Sequence, residues 1–391
     1  MRTSTFKRRL YQVTAAVASM ALLAACGGAN AETETSGDGE VASEINLTGI
    51  FDTTGSIAYA GVGASKGIQL AIKEIEEQDF LGEDVTFNYS EVDTAEDMER
   101  ATSEVNRAIS DESINAIFGP VASQQAAAVA PMAEESGVPI IFTQAGSDGV
   151  VIGDYTFRGT APMETYYDIA AEYLADQGLT DVAVLYNATF PTYAELGENA
   201  FPELAEENGL NIVDSQAVQS NTQDFTSQAQ SIADADPDAV AMFLIAPQSV
   251  TALRQLGEAG YDGQITATSV QASGNVAEAG SHAEGLVYPV DFSPVKESEM
   301  ATDFVEAFEE EYGEAPDQYA AEGYDSMWWL ARGIETSGDS SREGIQQGMQ
   351  QVAQEGFEGV MGQLEFEGND MRVPGVLVEW DGSEEHLVTT D

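Results

Sequence analysis

The chain has 391 residues, with 14 Lys and Arg against 68 Asp and Glu, a formal net charge of −54. That balance excludes nucleic acid as a partner, because such binding needs Lys and Arg to neutralise phosphates. With 43% apolar residues and regular periodic segments, the chain reads as folded in spite of its charge.

The first 25 residues carry Arg2, Lys7, Arg8 and Arg9 and no acid, followed by an apolar run over about Val13–Ala25. The run is too short and Ala-rich for a membrane span and fits the apolar region of an export signal. Cys26, the only cysteine, stands directly after Leu23-Ala24-Ala25. This resembles a bacterial lipobox, in which the thiol is lipidated and the chain is cut before it; an ordinary signal cut at a small residue, with Cys26 incidental, is the alternative. One cysteine can form no internal disulfide and lacks partners for a metal site. Residues 26–44, small, polar and acidic, read as a flexible tether. Removing residues 1–25 leaves ten basic residues against all 68 acids. Acids dispersed over a folded exported surface suggest a salty habitat, where counterions screen self-repulsion.

From Ile45 onward short β-rich runs alternate with amphipathic helices. "EINLTGIF" is a predicted strand. Gly61–Glu77 is a helix, with Ile68, Ala71, Ile72 and Ile75 on one stripe. "DVTFNYSEVD", "INAIFGP" and "VPIIFTQA" are strands, separated by helices over Glu96–Ser110 and Ser123–Ser136. The pattern restarts after Pro162. Helices over Glu164–Gln177, Ala194–Asn208 and Gln248–Ala259, and one inside "DFTSQAQSIADADPDAVAMFLI", alternate with "DVAVLYN", "LNIVDSQAV", the end of that segment and "GQITATSV". "EGLVYPVDF" is a further strand. Helices over Ser298–Tyr312, Ala320–Ser337 and Arg342–Ala353 precede the strands "MGQLEFEG" and "GVLVEWDG". Strands separated by helices imply parallel sheets with crossover helices, and two such blocks imply an α/β protein of two doubly wound lobes.

Nothing in this pattern signals an enzyme. His282 and His386, the only histidines, stand in no motif with a second ligand or a nucleophile, and no nucleophile-elbow, zincin or P-loop spacing occurs. Three loops follow strands at their carboxyl ends, where open α/β sheets hold ligands: "FDTTGSIAYAG", "GPVASQQA" and "TQAGSDG". Ser123 opens a helix, where it can serve as a plain N-cap or help hold an anion such as a carboxylate.

The stretches "TGSIAYAGVGASKGIQLAIKEI", "AIFGPVASQQAAAVAPMAEESGVPIIFTQAGSD", "FRGTAP", "LRQLGEAGYDGQI", "EGLVYP" and "APDQYAAEGYDSMWWLARGIE" occur in this order. Together they resemble the substrate-binding proteins of branched-chain amino acid ABC transporters, the leucine/isoleucine/valine-binding type. The resemblance covers about Ile45 to Glu385. It implies a type I periplasmic binding fold whose three hinge crossings lie near Ala161-Pro162, Tyr288-Pro289-Val290 and Gly368–Arg372. The lobes would be 45–162 with 290–370, and 163–289 with 371–391. It also implies an exported monomer, anchored to the membrane by a lipid on Cys26 and facing periplasm or exterior. Such a protein carries a small ligand to permease subunits and needs no cofactor or metal.

By the same resemblance, Ser123 meets a ligand α-carboxylate, the Ala145 carbonyl meets an α-ammonium, and Gly146 or Ser147 supplies a further contact. Tyr59, Tyr193 and Tyr319 become pocket aromatics, while Tyr324 and Asp325 of "GYD" pack near the site. The second-lobe acid that pairs with the ammonium in leucine-binding relatives is missing. "ATSVQASGN" stands there, with Ser269 or Gln271 nearest. Amino acids of branched-chain type are therefore joined as candidate ligands by short-chain amides, urea and aromatic acids. A sensor of the same fold, coupled to a receptor instead of a permease, is the other functional class; a secreted α/β enzyme and a purely structural lipoprotein are further ones.

Overall fold

The computed structural model describes residues 39–388 apart from 148, 297 and 374. The expected export segment, Cys26 and most of the tether lie outside the described residues. Part of the expected tether is packed: Ala42 N–H donates to Ser340 Oγ at 2.9 Å, and the Glu40 carbonyl accepts from Ser340 N–H at 3.3 Å.

The first run of elements is β1 Glu44–Phe51, α1 Ala58–Glu77, β2 Thr86–Asp93, α2 Met98–Ser110, β3 Ile114–Phe118, α3 Ser123–Ser136, β4 Ile140–Phe142 and β5 Thr156–Arg158. The second is α4 Met163–Asp176, β6 Asp181–Asn187, α5 Pro191–Glu195, α6 Phe201–Glu207, β7 Asn211–Val218, α7 Thr226–Ala235, β8 Ala239–Phe243, α8 Ala246–Glu258, β9 Gln264–Ala267 and β10 Leu286–Val290. A π turn over Leu196–Ala200 joins α5 to α6 without a break. There follow α9 Glu299–Tyr312, α10 Gln318–Ser337, α11 Arg342–Glu355, β11 Phe357–Gly359, β12 Gly362–Glu367, β13 Asp370–Arg372, β14 Val376–Trp380 and β15 Glu385–Leu387.

The strands form two sheets, ordered β11-β12-β13-β5-β4-β3-β1-β2 and β15-β14-β10-β9-β8-β6-β7. Within each, the strands β2-β1-β3-β4-β5 and β7-β6-β8-β9-β10 pair in parallel. Parallel strands need helical crossovers, so both faces are covered and strands such as β8 are buried throughout. The two doubly wound lobes expected from the sequence are thus present. β10 pairs with β9 and β14 over Leu286–Val290, and β13 pairs with β12 and β5. The expected lobe limits at 289/290 and 370/371 therefore fall inside β10 and β13. The chain leaves the second sheet after Val290 and re-enters it between Arg372 and Val376.

Caps explain several helix starts. Asp97, Ser298, Asp317 and Ser341 accept a backbone N–H with their side chains at the heads of α2, α9, α10 and α11. Asp97 places the start of α2 two residues after the expected Glu96. Ala95 and Glu96 stay outside it in the left-handed region, at φ 53° and 61°.

Candidate functional site

In both sheets the strand order reverses beside the first strand of the lobe, between β1 and β3 and between β6 and β8. Open α/β sheets hold ligands at that point, outside the carboxyl ends of the strands. Here the two reversal points face one cavity of about 90 Å³. The first lobe contributes Ile57, Tyr59, Val121, Ala122, Ser123 and Gly146; the second contributes Phe190, Thr192, Tyr193, Ile245, Ser269 and Val270. Thr160 and Ala161 on the first crossing, and Gln318, Tyr319 and Glu322 on α10, add to the wall.

Five helices, α1, α3, α4, α5 and α8, begin at this wall. Their N-cap residues are Ile57, Ala122, Pro162, Phe190 and Ile245, and none makes a side-chain cap bond. Their positive dipole ends therefore converge on the cavity, although Met163 N–H at the head of α4 already donates to the Gly146 carbonyl at 3.2 Å. Among the described residues no Lys or Arg lines the cavity, and Glu322 is the one carboxylic acid on it. Without a basic side chain, the attraction for an anion comes from backbone.

The loop before α1 is held by two acids. Asp93 Oδ1 accepts from Thr53 N–H at 3.0 Å, and Glu96 Oε1 accepts from Ile57 N–H at 3.1 Å as well as from Ser56 N–H. The left-handed turn at Ala95 and Glu96 brings this carboxylate under the loop and so fixes Ile57 and Tyr59 against the cavity. Burial pushes the Asp93 carboxyl up, but hydrogen bonds from the Thr54 hydroxyl and from the Thr53, Ala95 and Thr54 N–H groups outweigh it and lower the carboxyl to about 2.

Ser123 is where the sequence placed it, at the head of α3. Its Oγ accepts from Ser147 N–H at 3.3 Å, which leaves its own proton free to donate. Tyr59, Tyr193, Tyr319 and Gly146 also line the cavity. Ala145 does not. It is fully buried, and its carbonyl accepts from Arg158 Nη1 at 3.5 Å. Arg158 is itself buried and paired twice with Asp370, through Nε–Oδ1 at 2.6 Å and Nη2–Oδ2 at 2.8 Å. The same guanidinium holds the Ser147 carbonyl at 3.0 Å.

Ser147 stands behind the wall rather than on it. Its Oγ lies 2.5 Å from Thr192 Oγ1, a bond from lobe to lobe. A second cross-lobe bond runs from Gln318 Nε2 to the Ser269 carbonyl at 3.0 Å. Gln271 turns away from the cavity: Nε2 donates to the Leu244 carbonyl at 3.2 Å and to Thr268 Oγ1 at 3.1 Å. A short 3₁₀ turn over Ser269–Gln271 replaces the end of the expected strand and directs Ser269, not Gln271, to the cavity. Tyr324 and Asp325 lie deeper in α10. Asp325 accepts from Val360 and Met361 N–H, both at 3.0 Å.

Several lining residues escaped the sequence reading. Gln144, Thr160, Thr192, Phe190 and Glu322 all reach the cavity. Gln144 Nε2, Tyr319 Oη and Glu322 Oε2 are buried atoms with no hydrogen-bond partner. Buried polar atoms are normally paired, so this convergence at one cavity marks a place for a polar solute. Elsewhere, His386 has partners the sequence did not suggest. From β15 its Nε2 lies 2.8 Å from Oδ2 of Asp381, which stands in the exposed turn after β14.

A family model for periplasmic binding proteins matches residues 44–383. The chain belongs to the periplasmic binding protein family. Among curated relatives of this periplasmic binding protein is the Leu/Ile/Val-binding protein homolog 7 of Brucella abortus, 27% identical over 302 residues, covering 72% of this chain and 74% of the relative. Among solved structures, a leucine-binding protein of Thermotoga maritima aligns with TM-score 0.79 and 26% identity over 88% of this chain and 98% of its own. A solute-binding protein of an R. palustris ABC transporter, in complex with benzoate, shares the fold with TM-score 0.78 and 20% identity over 88% of this chain and 95% of its own. Membership of the family implies an extracytoplasmic binding protein. Among the described residues, no helix is long and apolar enough to cross a membrane.

Proposed function

We propose that the protein captures a small solute bearing a carboxylate, an amino acid of branched-chain type or an analogue, between its lobes and delivers it to an ABC importer. The observation that carries this reading is the cavity between two sheet-reversal points, on which the N-termini of five helices converge. In this reading the ligand carboxylate sits at the head of α3, against the Ser123 hydroxyl and adjacent N–H groups. Tyr59, Tyr193 and Tyr319 enclose the remainder, and Gly146 allows close approach from the floor. The Ser147–Thr192 and Gln318–Ser269 bonds hold the lobes together around the solute, a closure whose population the ligand shifts.

An aromatic acid is the second reading. The rings of Tyr59, Tyr166, Phe190, Tyr193 and Tyr319 on the wall favour it, as does the benzoate in the R. palustris relative. A thermal-shift panel of amino acids, amides, urea and aromatic acids, run at high salt, separates these classes. A ligand at a hundred times its Kd adds about 2.7 kcal/mol of stability. A panel without any saturable stabilisation contradicts the transport role.

The lipid anchor on Cys26 belongs to the same proposal, since a tethered binding protein stays near its permease. Wild-type protein is expected in the membrane fraction and Cys26→Ser in the soluble fraction or uncleaved. Equal partition of the two rejects the anchor.

A further inference from the structure

Glu322 is 4% exposed, yet it lines the cavity. Its Oε1 accepts from Thr160 Oγ1 at 3.4 Å, while Oε2 has no partner. Asp291, 1% exposed, lies on the other side of the same hydroxyl, which reaches its Oδ2 at 2.9 Å. The two carboxyl groups thus flank one hydroxyl, whose single proton can serve only one of them at a time. Two carboxylates buried this close would repel each other, so the pair keeps one proton between them. Tyr166 closes the group. Its hydroxyl lies 3.1 Å from Thr160 Oγ1 and accepts from Ala161 N–H at 3.2 Å.

The cluster thus joins the first crossing, the second crossing, α4 and α10. Asp317 and Tyr319 on α10, Tyr166 on α4 and Lys296 beyond Asp291 are the other titratable groups that act on it. Burial is the main cause pushing both carboxyls up, Asp291 to about 6 and Glu322 well above the usual range. A positive group arriving at Oε2 would do what the shared proton does now, which is to neutralise a buried charge.

We propose that Glu322 Oε2 receives the ammonium group of a zwitterionic ligand, and that this ammonium replaces the proton shared with Asp291, which passes to solvent. The inference rests on the cleft being the ligand site. It supplies, from the first lobe, the counter-charge that the second lobe lacks at Ser269. It also sets the substrate class: a solute with a carboxylate for the head of α3 and an amine for the foot of the cavity.

The test is calorimetric titration of the full protein near pH 7 with L-leucine, L-valine and L-phenylalanine, each beside its desamino acid, in two buffers of different ionisation enthalpy. The amino acids are expected to release about one proton on binding, and their affinity to increase with rising pH, by up to about tenfold per unit, as long as the free pair still holds its proton. Asp291→Asn is expected to abolish the proton release, and Glu322→Gln to shift preference toward the desamino acid by about tenfold or more. Amino acid binding without proton release, with Glu322→Gln keeping the wild-type preference, overturns the ammonium role and leaves the cleft intact. Binding of the desamino acids alone does the same. Failure of every probe, together with no stabilisation by any amide, urea or aromatic acid, overturns the cleft reading as well. The proton count on wild-type protein needs no variant to fold.

Discussion

Replacing Gly67 by Ala is expected to destabilise the protein by about 3 kcal/mol or more, although alanine is the better helix former by about 1 kcal/mol. Gly67 lies inside α1, where a Cβ would stand 1.9 Å from the Ala320 carbonyl oxygen and 2.9 Å from Tyr324 N. Both obstacles are backbone of α10, so no side-chain rotation relieves them. Gly323 presents the reciprocal contact, 2.3 Å from the Ala64 carbonyl oxygen. The helices touch backbone to backbone at these glycines and must part to admit a methyl group. Overpacking ordinarily costs about 1–3 kcal/mol, and a clash that moves a whole helix belongs at the upper end. The same movement carries Tyr59 on α1 away from Tyr319 and Glu322 on α10, so ligand affinity should fall together with stability. Urea unfolding and a ligand titration measure both. A Gly67→Ala protein as stable as wild type would show that α1 and α10 are not in this close contact.

Stability is also expected to decline as pH rises from about 4 or 5 to 7. Burial raises Asp325 to about 7 and Asp291 and Asp317 to about 6, and raises Glu322 strongly. These folded-state values lie above those of the unfolded chain, near 4. Between the two limits the folded protein holds more protons than the unfolded one. Each such group therefore contributes stability that is fully present below about pH 4 and is lost as pH climbs through its folded value, on the order of 1.4 kcal/mol per pH unit per group. Asp93, Asp111, Asp224 and Asp381 have lowered values and act in the opposite sense. Their stability is present above about pH 4 and lost on further acidification. The midpoint of thermal unfolding at constant high salt should therefore peak near pH 4–5 and fall by pH 7. Repulsion among the net negative charges reinforces the decline. Asp325→Asn should flatten it. A midpoint that rises steadily from pH 5 to 8 contradicts this account.

The long elements were legible because their periods are strong. Alternation such as "TFNYSEVD" and stripes such as Ile68, Ile72 and Ile75 survive as β2 and α1. The three-residue strands β5, β13 and β15 were not, since so short a run has no period and is defined by its pairing alone. This is also why the expected third crossing fell on β13.

At the cavity, Ser123, Tyr59, Tyr193, Tyr319 and Gly146 were placed by resemblance of the surrounding stretches. Ala145 and Gln271 lie off the cavity because a loop or 3₁₀ turn sets side-chain and carbonyl direction through contacts distant in sequence, here Arg158 and Leu244. Glu322 was hidden among 68 acids. The one signal available was its spacing: three residues after Tyr319 on a helix, it had to share that residue's face.

The most direct measurement for the central claim is the affinity of the best stabilising ligand for wild type and for Ser123→Ala. Loss of a hydrogen bond to a charged carboxylate costs about 1.5–3 kcal/mol, so the variant should bind at least about tenfold more weakly while keeping its unfolding midpoint without ligand. An unchanged affinity would contradict the assignment of the carboxylate to the head of α3.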